Sequence, residues 1–100
     1  MEDFIYYNNL FLIYKDLLKD SNRDIFDLYY GDNLSMQEIA DIKNISKSRV
    51  GIIIKNVTRE LDKYEEVLKL YEKEKIINEL LEYSDIEIIK NKLKEIIKGE

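Results

Sequence analysis

Apolar residues recur at steps of three and four through almost the whole chain and hardly anywhere in strict alternation, so the pattern predicts helices throughout. Phe4, Tyr7, Phe11, Tyr14 and Leu18 mark the inner stripe of a first helix over about residues 3–18. Ser21, with Asp24 three residues on, predicts the cap of a second helix that turns Ile25, Phe26, Leu28 and Tyr29 inward before Gly31, Asp32 and Asn33 stop it. With no proline and only three glycines to break this periodicity, the fold class is all-α.

Residues 34–57 carry a helix-turn-helix pattern. Ser35 and Glu38 have the spacing of a capping box, in which the serine hydroxyl accepts from the glutamate's backbone N–H and the carboxylate returns the bond. Ile39 and Ala40 supply the buried face of the helix so begun. Asn44 suits the left-handed residue of a tight turn, Ile45 plugs the corner, and Ser46 can cap a second helix with Val50, Ile54 and Val57 inside. On that helix Ile52 falls opposite the inner stripe and faces outward.

The stripe does not stop where a short reading helix would. Val50, Ile54, Val57, Leu61, Tyr64, Leu68 and Tyr71 continue in steps of four and three, a seam of three heptads. The spacing predicts one helix over residues 47–71, roughly 37 Å long at about 1.5 Å per residue. Val57, Leu61, Tyr64, Leu68 and Tyr71 are its candidate partner or dimer seam, to be covered by a second chain or by the same chain's last helices. A bend is expected at residues 72–75, where Ile76, Ile77, Leu80, Leu81 and Tyr83 begin a new apolar face. Ser84 and Glu87 repeat the capping-box spacing ahead of a last helix bearing Ile86, Ile89, Leu93, Ile96 and Ile97 and ending at Gly99. The whole reads as a single all-α domain, residues 1–100, with a helix-turn-helix part (residues 1–59) and a helical extension (residues 60–100) that is a C-terminal hairpin.

Charge alters this picture in one place. The chain carries a net −5, but residues 34–59 hold five basic and two acidic side chains, against three and seven in residues 1–33 and eight and twelve in residues 60–100. Lys43, Lys47, Arg49, Lys55 and Arg59 lie on or beside the second helix of the motif, where cations meet phosphates and release counterions. A solvated face on a packed helical domain is the alternative for such a cluster. Ser46, Lys47, Ser48, Arg49, Ile52, Lys55 and Arg59 are the candidate nucleic-acid-binding residues. Gly51 and Ile52 stand where polar base-reading side chains are common, so Ile52 would meet thymine methyls or a protein partner.

The remaining chemistry is sparse. There is no cysteine or histidine, no glycine-rich phosphate loop and no activated nucleophile, so neither catalysis nor a metal or other cofactor is expected. The acidic pairs Glu65/Glu66, Glu72/Glu74 and Glu79/Glu82 have lysines at helical spacing and read as solvated, ion-paired surface. The eight tyrosines fall mostly on apolar stripes, with Tyr30 a candidate exposed ring for stacking on unpaired bases. No apolar run approaches the roughly 20 residues that span a bilayer, and Glu2 and Asp3 stand where a signal peptide is positive. A cytoplasmic protein without membrane contact is expected.

Three runs together, residues 22–30 (NRDIFDLYY), 34–40 (LSMQEIA) and 45–50 (ISKSRV), resemble the YlxM family of small bacterial helix-turn-helix proteins, part of which is similar to region 4 of sigma factors; residues 61–68 also fit. The resemblance is specific over residues 22–70. It implies a regulatory or accessory role beside the signal recognition particle, with members usually encoded next to that particle's genes. It further implies binding to the particle's RNA, to its GTPase or to DNA, and a homodimer. Two alternatives stand beside this reading: a DNA-binding transcription regulator with residues 47–55 in a major groove, and a protein-interaction module whose helix-turn-helix is a relic.

Overall fold

The structure, a computed structural model, describes residues 3–98. Their backbone forms α1 (Asp3–Tyr14), α2 (Asp20–Phe26), α3 (Met36–Lys43), α4 (Lys47–Leu68), α5 (Leu70–Leu80) and α6 (Ile86–Lys98). A 3-10 turn (Lys15–Leu17) follows α1 and a π-helical turn (Asp27–Gly31) follows α2. No strand occurs among the described residues, so the fold is all-α.

The first helix stops four residues short of the expected end because Leu18 turns to an extended backbone, φ −91° and ψ 153°, and drops its side chain into the core. Ser21 does not cap α2. The helix starts two residues earlier, with Lys19 at the cap position and no side-chain cap bond, while Arg23 ties Asp20 and Asp16 together over its first turn.

Leu10, Phe11 and Tyr14 of α1 meet Ile25 and Phe26 of α2, Ile39 and Ala40 of α3, and Val50, Ile54, Val57 and Leu61 of α4 in one core. Complete burial of each large apolar side chain contributes about 1.5–3 kcal/mol relative to exposure. Phe26 is sandwiched, its ring 5.1 Å from Phe11 and 4.4 Å from Tyr30. Tyr30 is therefore core, stacked at 22° on Phe26 and beside Phe4 at 4.7 Å, not the exposed ring expected for base stacking.

Most of the long seam is covered within the chain. Val57 and Leu61 are fully buried, and Tyr64 packs its ring 5.8 Å from Tyr14 of α1. Burial, then the Glu60 carboxylate, pushes the Tyr64 phenol pKa up. Tyr71 sets its ring edge-on to Tyr6 at 5.4 Å, and Leu68 remains largely exposed. The helix passes unbroken through residues 59 and 60 but not to Tyr71: α4 ends at Leu68 and the chain turns at Lys69, three residues before the expected bend. The cause is tertiary, because Tyr14 of α1 and Glu65 of α4 hold the first amides of α5. Glu65 thus leaves the group of solvated acids.

Beyond Lys69, α5 and α6 pack against each other as a hairpin. Asp85, not Ser84, caps α6: its carboxylate accepts from the N–H groups of Glu87 at 2.8 Å and Ile88 at 3.4 Å. One residue alone occupies a cap, and the turn places the aspartate there. Gly99 lies outside the described residues. Leu80 is the one buried side chain of the hairpin among the described residues, and α6 buries none. The hairpin projects from the α1–α4 body, giving extents of 56 × 23 × 20 Å and a radius of gyration of 17.2 Å where a compact chain of this length has about 13 Å.

Candidate nucleic-acid interface

Each local signal of residues 34–57 has its physical counterpart. The Glu38 N–H donates to the Ser35 hydroxyl at 3.1 Å, and the Ser35 N–H donates to the Glu38 carboxylate at 2.9 Å, closing the capping box of α3. Asn44 adopts φ 56° and ψ 46°, and the Ile45 N–H returns to the Ala40 carbonyl at 3.1 Å. Ile45 is half-buried against the core and plugs the corner. The Ser46 hydroxyl then accepts from the Arg49 N–H at 3.0 Å and starts α4. Two helices joined by Asn44, Ile45 and Ser46 are thereby locked on the core through Ile39, Ala40, Val50, Ile54 and Val57.

Burial fixes which side of α4 reads outward. Val50, Ile53, Ile54, Val57 and Leu61 point in, and at 100° per residue Ser48, Ile52, Lys55 and Arg59 then lie on the opposite side. All four are exposed, as are Ser46, Lys47 and Arg49. Ile52 is half exposed, as its position requires. Ile53, its neighbour, is 7 % exposed and belongs to the core. The Ser48 and Ser46 hydroxyls lie 3.2 Å apart at the helix start.

The cations divide into two sets. Lys43, at the end of α3, is 3.9 Å from Asp24 of α2 and partly neutralised. Lys47, Arg49, Lys55 and Arg59 take part in no ion pair among the described residues. A shallow open groove between α2 and the start of α4, bordered by Lys43, Arg49 and Asp24, extends this surface. Ile42, exposed at the end of α3, escaped the sequence reading because nothing in its spacing separates it from the buried Ile39.

Gly51 leaves the surface low beside Met36, whose sulfur would lie 3.7 Å from an added Cβ, an ordinary contact. The packing of α3 on α4 therefore does not require a glycine. Among the described residues there is no group of side chains that could hold a metal ion, and no helix is long and apolar enough to cross a membrane.

Comparison with known proteins gives this arrangement a family. Residues 1–99 match the model of the family described as "Putative helix-turn-helix protein, YlxM / p13 like". The chain is 42% identical to a UPF0122 protein of Ureaplasma parvum over 88 residues, covering 87% of this chain and 88% of the relative. It is 39% identical to the UPF0122 protein YofM of Lactococcus lactis over 94 residues, 89% of this chain and 85% of the relative. A UPF0122 protein of Mycoplasma capricolum is 38% identical over 95 residues, 90% and 84% of the two chains.

Proposed function

We propose that this chain, which belongs to the YlxM / p13-like family of helix-turn-helix proteins, is a noncatalytic cytoplasmic regulator that binds nucleic acid through Ser46, Lys47, Ser48, Arg49, Ile52, Lys55 and Arg59. One observation carries the reading: the four cations of this set project from a capped helix of an acidic protein and take part in no ion pair among the described residues. Phosphates are the chemistry that such a surface takes. Family resemblance supports the finer assignment, an accessory role beside the signal recognition particle with its RNA as ligand and its GTPase as a further partner. In this reading residues 1–100 act as one domain, with the helix-turn-helix as the reading part.

The extension would then serve for self-association. Leu81, Ile86 and Ile97 of the hairpin are 84, 64 and 83 % exposed, a density of bare aliphatic surface that favours a covering partner. Residues 70–82 hold four acidic and two basic side chains, and α6 holds four basic and two acidic. A second copy matches both features, since its α6 can lie against the first chain's α5.

Titration against duplex DNA and against the particle's RNA at two salt concentrations tests the nucleic-acid reading. Affinity should fall steeply with salt, and replacing Lys47, Arg49 and Lys55 together by glutamate should abolish binding with the fold intact. Preference for the RNA supports the particle; sequence-selective duplex binding supports a transcription regulator. Unchanged affinity in the triple variant would refute the site.

A further inference from the structure

The sequence from Glu66 to Tyr71 contains neither glycine nor proline, and its apolar steps run on across Lys69. Yet the helix breaks there, with Lys69 at φ 55° and ψ 32°. A residue with a Cβ is disfavoured in that conformation, so the break needs a restraint from outside the segment. Opening the helix frees the amides of Leu70, Tyr71 and Glu72, which in a continuous helix would donate to the carbonyls of Glu66, Val67 and Leu68.

All three find other acceptors. The Leu70 N–H donates to the Tyr14 hydroxyl at 3.1 Å, the Tyr71 N–H to Glu65 Oε1 at 3.0 Å and the Glu72 N–H to Glu65 Oε2 at 3.1 Å. The Tyr14 hydroxyl in turn donates to Glu65 Oε1 at 2.7 Å. Helical bonding resumes with the Lys73 N–H on the Lys69 carbonyl at 3.0 Å. Tyr14 is fully buried in the core of the body, so one end of this arrangement is fixed. Glu65 is half-buried and bridges the body to α5.

We propose that Tyr14 and Glu65 form a latch that holds the elbow at Lys69, and that releasing it yields a second, straight state in which α4 and α5 fuse into one helix. Three hydrogen bonds within a helix are exchanged for three to the latch, so backbone bonding leaves the two states close in energy. The bent state adds the tyrosine–carboxylate bond and the Tyr6–Tyr71 contact; the straight state relieves Lys69. The seam from Val50 to Tyr71 is continuous only in the straight state. The latch thereby sets the angle between the reading helix and the hairpin, and with it the separation of two reading helices in any pair of chains. This device goes beyond the nucleic-acid reading and holds whether or not the chain binds one.

The absence of cysteine permits a clean distance measurement. Spin labels on Leu12→Cys, exposed on α1, and Asn91→Cys, exposed on α6, are observed with labelled chain diluted in unlabelled chain. The parent should give a single distance. Tyr14→Phe and Glu65→Leu should each add a second population displaced from it by more than a helical turn, about 5 Å. Lys69→Gly in the Tyr14→Phe background should restore the parent distance, because glycine accepts the left-handed conformation freely. If Tyr14→Phe failed to fold, Glu65→Leu carries the same reading from a side chain outside the buried core. Folded variants that keep the parent distance, or a Lys69→Gly that restores nothing, would overturn the latch.

Discussion

Helices α4 and α6 both carry aliphatic residues at steps of three and four, but α4 buries Val50, Ile53, Ile54, Val57 and Leu61, whereas α6 buries none. The difference lies in their surroundings. Helix α4 is contacted by α1, α2 and α3, while α6 packs chiefly on α5, itself at the edge of the body. Amphipathicity states what a helix can bury; the number of neighbours decides what it does bury. The body thus closes on itself, and the hairpin keeps Leu81, Ile86 and Ile97 in solvent.

Truncation in the two regions is the hardest test of that contrast. Phe26→Ala or Leu61→Ala should cost about 3–5 kcal/mol in urea denaturation, because both side chains are fully buried. Ile97→Ala should stay within about 0.5 kcal/mol. A loss at Ile97 comparable to that at Leu61 would show the hairpin covered in solution, and light scattering on an Ile97→Lys variant would report whether a second copy covers it.

Alkaline titration separates the regions through Tyr14. Burial first, and its hydrogen bond to Glu65 second, push this phenol from 10.0 up to about 12. The unfolded chain therefore ionises first, so the contribution of Tyr14 to stability is complete below pH 10 and lost as pH climbs through 12. Tyr14→Phe should flatten that part of the decline in a series of melts, and an unchanged profile would assign the decline to other groups.

Caps give a smaller contrast. Ser46→Ala should lower global stability by about 1 kcal/mol, while Asp85→Ala should fray α6 and leave the global value nearly unchanged, a division that amide hydrogen exchange can resolve. Smallest and opposite in sign, Gly51→Ala should raise stability by about 0.5–1 kcal/mol, since the added Cβ meets Met36 at an ordinary distance. A decrease would mean that the α3–α4 junction has less room than its geometry indicates.

The helix-turn-helix was the most legible part of the chain, because its determinants act over three or four residues. Ser35 with Glu38, Asn44 and Ser46 each make the local hydrogen bond or adopt the backbone that their spacing implies, and Ile52 faces outward. Neighbouring positions went astray wherever a distant element chose between two local options. Tyr30 looked exposed until Phe4 and Phe26 enclosed its ring. At the hairpin, the spacing of Ser84 and Glu87 pointed to the serine as the cap, and the turn gave that place to the adjacent Asp85.

Helical periodicity, the two caps of the motif and its cluster of cations were thus written in the order of residues, since each depends on groups within a turn or two. Where the long seam breaks, which acid serves the break and which stripe finds cover were decided by folding. The Tyr14 hydroxyl reaches the Leu70 amide across 56 residues, and no local preference at Lys69 encodes a bond to a partner that only the packing of α1 delivers.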